Sequence, residues 1–210
     1  LTPELAPATI ACIADSFHYK AADADPFSSI LNLHKHHWEK MASMFVERSA
    51  ADPRHLSVVA LNEDTGRIDG AMINEDWKEP QPTAYKELNS DSWRPVRAVF
   101  NELHTRYRAS SSLIIRNDIL HSLYFTCVHP GARNEGIMKG MWEITLQNAK
   151  DYNYNALVAE ASRHSVRDIF DNKLGLLEVA RVDFDDFKFE GQTVFKELPE
   201  ENPEFTALCV

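Results

Sequence analysis

One run constrains this chain more than any other: Cys127, Val128, His129, Pro130, Gly131, Ala132, Arg133, Asn134, Glu135, Gly136, Ile137 and Met138 leave a strand, turn, and open a helix. Residues 119–128 are short and almost all apolar or β-favouring, the profile of a central buried strand. Residues 136–152 then carry Ile137, Met141, Ile144, Leu146 and Ala149 at helical spacing. A helix start has N–H groups without intrahelical acceptors and the positive end of the macrodipole, so a phosphate or pyrophosphate lies well there when side chains stand aside. Three of the chain's 7 glycines, Gly131, Gly136 and Gly140, fall in this stretch, so backbone access matters here more than elsewhere. The run is not a P-loop, because Ile137 and Met138 follow Gly136 where Lys and Ser or Thr are needed. A GxGxxG dinucleotide fingerprint is also absent.

With 210 residues, 44% apolar and 26% charged, the chain has the balance of a globular protein. At this length roughly 70% of the unfolded chain's surface can be buried without disulfides or metals. The 22 Lys+Arg against 32 Asp+Glu leave −10, which argues against nucleic acid and anionic membranes as partners and suits a cationic substrate. Cys12, Cys127 and Cys209 form no CxxC pair, as expected in a reducing, cytoplasmic setting. No stretch approaches the roughly 20 apolar residues of a membrane span. The chain begins at Leu1 rather than Met, which leaves a removed leader open.

Hydrophobic periodicity predicts a helix over 9–17 and a second over 28–51, then two strands over 55–61 and 67–77 joined by a Gly66 turn. A long insertion over 79–118 contains a helix near 96–107. After the central strand and its helix come a strand over 156–159, a helix over 162–173, and closing strands over 177–184 and 192–198, with a frayed tail from Pro199. The expected architecture is α/β (α+β): a mixed, mostly antiparallel sheet flanked by helices, in one domain spanning 1–210, since no repeat or linker-like shift divides the chain.

The central run resembles the coenzyme A loop of the GNAT acetyltransferase superfamily, whose pattern is Val-x-Pro-x-x-Arg/Gln-x-x-Gly-x-Gly/Ala. Val128, Pro130, Arg133 and Gly136 match, and Met138 replaces the final small residue. The element order over 4–198 is also similar to that fold, which implies a splayed central strand. Three further features resemble the arylalkylamine N-acetyltransferase branch: Phe17 followed by Asp25-Pro26-Phe27, the insertion, and Ala161-Ser162-Arg163-His164-Ser165.

The resemblance implies acetyl-CoA as co-substrate, with its carbonyl near Cys127 and Val128 and its pyrophosphate on the amides of Arg133, Asn134, Glu135, Gly136, Ile137 and Met138. It further implies direct acetyl transfer to a small primary amine, by a monomer or homodimer. Asp25 takes the place of that branch's glutamate base, with a turn-forming aspartate as the alternative. Ser162 or Ser165 would protonate the thiolate, or else serve as helix-cap or surface residues. Vertebrate relatives use two histidines on the central strand; counting back from Val128, Ser122 and Tyr124 hold those positions, and alternation puts His121 on the opposite face. Tyr124 is then a substrate-lining or proton-relaying residue, or core. The tyrosine acid common in the family is replaced by Asp171. Arg163, Arg167, Lys139 and Lys173 are candidate cations for the coenzyme.

Met41, Met44, Phe45, Trp77, Trp93 and Phe100 form a candidate amine pocket or ordinary core. His34 and His37 share a helix face at metal-ligand spacing, but no acidic or thiol group accompanies them, and no metal is expected. Acetylation of a protein amine and a non-catalytic acyl-CoA-binding module are the competing readings.

Overall fold

A computed structural model describes the chain except residues 19, 22–23, 87–91, 111–117, 199–203 and 210, so the insertion and the tail lie partly outside the described residues. After a short 3-10 turn, α1 (Ala6–Phe17), α2 (Pro26–Leu31) and α3 (Lys35–Ala50) lead into β1 (Val58–Leu61), β2 (Ile68–Met72) and β3 (Asn74–Asp76). Next come α4 (Thr83–Lys86), α5 (Trp93–Ser110), β4 (Ile119–Ser122) and β5 (Cys127–Val128). The chain closes with α6 (Ile137–Asp151), β6 (Ala156–Ala161), α7 (His164–Asp168) running into a π turn (Ile169–Lys173), β7 (Leu177–Asp183) and β8 (Glu204–Cys209).

The strands pair in the orders β1-β2-β5 and β3-β4-β6-β8-β7. All pairs are antiparallel except β4–β6, which α6 connects as a parallel crossover. Alternation along the strands divides the core. Ala71, Ile73, Ile119 and Val158 face α1, α3 and α5, whereas Met72, Leu120, Leu157 and Ala159 face α6 and the π turn.

Several expected boundaries move for identifiable reasons. The single helix expected over 28–51 is two, because Asn32 adopts φ 51 and ends α2. The strand expected over 67–77 divides at Ile73, and the one expected over 119–128 is interrupted by residues 123–126. Residues 192–198 are not a strand: Phe189 and Gln192 form an isolated bridge, and Phe195 is apolar because it fills an aromatic cluster with Phe27, Phe184 and Phe187. Nor does the chain end in a frayed tail. β8 inserts between β6 and β7, and Phe205 is fully buried. Among the described residues no helix is long and apolar enough to cross a membrane.

Candidate active site

β4 pairs with β6 up to Ser122 opposite Ala159, and the chain then leaves that partner through residues 123–126. Where it resumes as β5, its pairing among the described strands is with Gly70 and Ala71 of β2 alone. The sheet therefore splays, and a cleft of about 620 Å³ lies between β5 and the end of β6, bordered by the first turn of α6 and by α7.

Of the residues expected to hold a coenzyme, Cys127, Val128, Arg133, Asn134, Gly136, Ile137 and Met138 line this cleft, whereas Glu135 does not. The loop is shaped by Asn134 at φ 67 and Gly136 at φ 78, a left-handed bend that turns the chain into α6. His129 Nδ1 accepts from the Gly131 N–H at 3.1 Å and fixes the start of the turn. The sequence reading missed Gly70. A Cβ there would stand 2.8 Å from Ile137 Cγ2, so its missing side chain is what lets α6 lie down on β2.

Cations border the cleft as expected, with one exception. Arg133, Lys139, Arg163 and Lys173 line it, but Arg167 pairs with Glu178 and Glu204 instead. Burial, and then the charge of Arg163, lower the pKa of the Arg133 guanidinium; an anion between the two arginines relieves that repulsion. Cys127 is buried beside Cys12 and Ser16 in the core, and the groups that act on its thiol among the described residues include no His or Asp to make it a nucleophile.

At the inner end of the cleft the structure joins Asp25, Tyr124 and Ser162. Asp25 caps α2: its Oδ1 accepts from the Phe27 and Ser28 N–H groups at 3.0 and 3.3 Å. Its Oδ2 accepts from the Tyr124 hydroxyl, and Ser162 Oγ, close to both, donates its one proton either to Tyr124 Oη or, at 3.3 Å, to Oδ2. The turn-forming reading of Asp25 is met by Oδ1, and Oδ2 faces Tyr124 and Ser162. Burial pushes the Asp25 carboxyl up to about 6, against the lowering pull of the Tyr124 hydrogen bond and the Arg163 charge. Burial and the neighbouring Asp25 charge hold the Tyr124 hydroxyl well above its ordinary range. Ser165 lies apart, exposed on α7 and lining the same cleft.

On the other side of Tyr124 lies a second cavity, of about 660 Å³, walled by Met41, Phe45, Trp77, Tyr85, Phe100 and Phe125. Four of the expected pocket residues are there, but Trp93 is fully buried and Met44 packs on the core instead.

This cavity also holds a cluster that sequence reasoning did not find: Glu160 Oε1 accepts from His121 Nε2 at 2.6 Å and from His104 Nε2 at 2.8 Å. His121 was expected on the opposite face from Tyr124. It lines the same cavity, because residues 123–126 break the strand's alternation between the two positions. Ser122 instead bonds Thr126 at 3.2 Å and borders neither cavity. The available signal for Glu160 was a lone acid inside the apolar run of β6; His104 had none. Burial would raise the Glu160 carboxyl, but the charge of His121 and the two imidazole donors outweigh it and bring it down to about 2.

His34 and His37 serve a structural end. They form a capping box on α3, with the His34 N–H donating to His37 Nδ1 at 3.0 Å. Among the described residues, His104, His121 and Glu160 are the one group with three closely spaced metal-ligand side chains.

No protein-family model matches the chain, and no curated protein matches it by sequence. Solved structures do. Arylalkylamine N-acetyltransferase 2 from Aedes aegypti superposes with a TM-score of 0.76 at 14% identity, covering 100% of this chain and 95% of that one. The C-terminal condensation domain of Ebony, in complex with beta-alanyl-dopamine, gives 0.76 at 16%, with 100% and 95% covered. The Drosophila melanogaster polyamine N-acetyltransferase, which forms N-acetylagmatine, gives 0.71 at 17%, with 100% and 96% covered. Identities this low speak for architecture, and the architecture of this chain is the GNAT N-acetyltransferase fold in the form carried by these insect enzymes.

Proposed function

We propose that the chain is an acetyl-CoA-dependent N-acetyltransferase acting on a small primary amine by direct attack in a ternary complex. The observation that carries this reading is the meeting of two cavities at Tyr124, whose hydroxyl is bonded to a buried carboxylate with a pKa near 6. Acetyl-CoA fits the residues of the first cavity: the amides opening α6 and the Arg133–Arg163 pair suit a pyrophosphate, and unpaired β5 backbone suits a pantetheine arm. The second cavity, walled by aromatic rings, suits a small organic cation better than a protein segment.

The acceptor enters as an ammonium and must lose a proton to attack. Tyr124 Oη accepts that proton while passing its own to Asp25 Oδ2, so the carboxylate becomes neutral and the phenol is never left charged. A pKa near 6 leaves Asp25 ionised at neutral pH yet basic enough for the relay. The neutral nitrogen attacks the thioester carbonyl, the C–S bond breaks, and the surplus proton on the new amide nitrogen passes to the departing thiolate, with the Ser165 hydroxyl on the cleft side to relay it; the proton held by Asp25 returns to solvent. Ser162, close to both Asp25 and Tyr124, orients the relay.

The Ebony domain, solved with beta-alanyl-dopamine, motivates a second reading in which the group transferred to the amine is beta-alanyl rather than acetyl. Thiol release from acetyl-CoA and from beta-alanyl-CoA over a panel of arylalkylamines, agmatine and diamines tests both. The first reading expects amine-dependent release from acetyl-CoA; coenzyme binding with no release from either donor rejects both.

A further inference from the structure

Glu160 is the one carboxylate that borders both cavities, and with Tyr124 it accounts for every residue they share. Its side chain is fully buried. Oε1 is saturated by two imidazole donors, yet Oε2 meets no hydrogen-bond donor among the described residues. An ionised carboxylate oxygen left so in the interior is costly and calls for a cationic or N–H-bearing guest.

We propose that Glu160 Oε2 is the anchor for the acceptor's ammonium group, and that His104 and His121 are positioning residues that hold the carboxylate in place. This rests on the transferase reading above and names the contact that selects its substrate. Three observations single out an ammonium. Glu160 borders both cavities, as Tyr124 does, so a nitrogen held at its carboxylate also stands near Tyr124 and the cleft proposed for the coenzyme. Trp77 packs edge-on against both imidazoles, at 4.9 Å from His104 and 4.8 Å from His121, and gives an alkyl or aryl chain an apolar wall behind its charge. The other carboxylate deep in the cavity, Glu75, is already paired with Arg48, so its charge is spoken for. A metal ion is disfavoured because both imidazole nitrogens facing the carboxylate carry protons in these hydrogen bonds, and a metal must displace them.

The two carboxylates of the site then divide the work. Glu160 stays charged and holds the ammonium, and Asp25 takes the proton through Tyr124.

The test is calorimetry of 2-phenylethylamine, agmatine and 1,4-diaminobutane against their isosteric alcohols, with the full chain saturated with coenzyme A. At least one amine is expected to bind about 10-fold or more tighter than its alcohol. Glu160→Gln, which keeps the shape and the acceptor for both imidazoles, is expected to weaken that amine about 30-fold or more. It should leave the alcohol and coenzyme A within about twofold. The proposal is overturned if E160Q binds the amine as wild type does, if E75Q rather than E160Q carries the loss, if no amine outbinds its alcohol, or if zinc binds the cluster and excludes the amine. Should E160Q fail to fold, imidazole Nε2 resonances of His104 and His121 in the wild-type chain give the answer: they must move with the amine and stay still with the alcohol, and the reverse refutes the anchor. Amine binding is read without turnover. A chain that binds amine at Glu160 but transfers nothing therefore refutes the transferase reading alone, and one in which E160Q transfers unimpaired refutes the anchor alone.

Discussion

Asp25 is a helix cap on one oxygen and, in the mechanism proposed above, the end of a proton relay on the other, and the direction of its pKa shift points to the charge as the demand that costs stability. A carboxyl raised from 3.8 to about 6 is one whose neutral form the fold prefers. The penalty of its charge is absent below about pH 4, grows between pH 4 and 6, and is complete above that. Asp25→Asn keeps the cap acceptor and removes the charge. It is expected to be more stable than wild type at pH 7.5, by on the order of 2 kcal/mol, with the advantage gone by pH 4 in urea titrations. The same variant is expected to lose about 10²–10⁴-fold in kcat at neutral pH, and with it the rise of kcat/KM through about pH 6. A fully active D25N removes Asp25 from the mechanism. Tyr124→Phe breaks the relay without touching the carboxylate, so it should match D25N in kcat while acetyl-CoA affinity is unchanged.

Among the elements, the strand–turn–helix from β5 to α6 carries the proposed coenzyme site, and two glycines govern its shape for different reasons. Gly136 has open space around its Cα but a positive φ, so Gly136→Ala strains the backbone, at about 1–2 kcal/mol in thermal or urea unfolding. Gly70 has an ordinary φ but no space, so Gly70→Val pushes α6 off β2 and is expected to weaken acetyl-CoA binding at least tenfold, measured by calorimetry. If G70V binds acetyl-CoA like wild type, the seat of α6 does not set the loop. The first glycine was legible in the sequence, because a turn before a helix pattern announces itself locally. The second was not, since close approach of a distant helix leaves no local mark. His121 escaped for a related reason: counting by alternation fails across residues 123–126, and nothing in those four side chains marks where the strand lets go of its neighbour.

Across the whole molecule, the chain's last strand is central rather than peripheral. β8 joins β6 to β7, and Phe205 packs on Phe27, Phe100 and Tyr124, so this last strand supports Tyr124 directly. Phe205→Ala is expected to cost about 3–5 kcal/mol in urea unfolding and to lower kcat as well, whereas a peripheral strand would give a loss of less than about 1 kcal/mol. The alternating pattern after Pro203 was present in the sequence. Its nearness to a proline and to the chain end concealed that it closes the sheet, just as the apolar content of residues 192–198 imitated a strand while Phe195 was filling the core. The bend between β5 and α6 was legible because its signals are local, and the second cavity was not because its residues converge from α3, α5, β4 and β6.

The most direct measurement is the pH dependence of amine-driven thiol release from acetyl-CoA by wild type and D25N. The account predicts release that requires both amine and protein, rises through about pH 6, and loses that limb in D25N. Release that ignores the amine, or an identical profile in the two proteins, contradicts it.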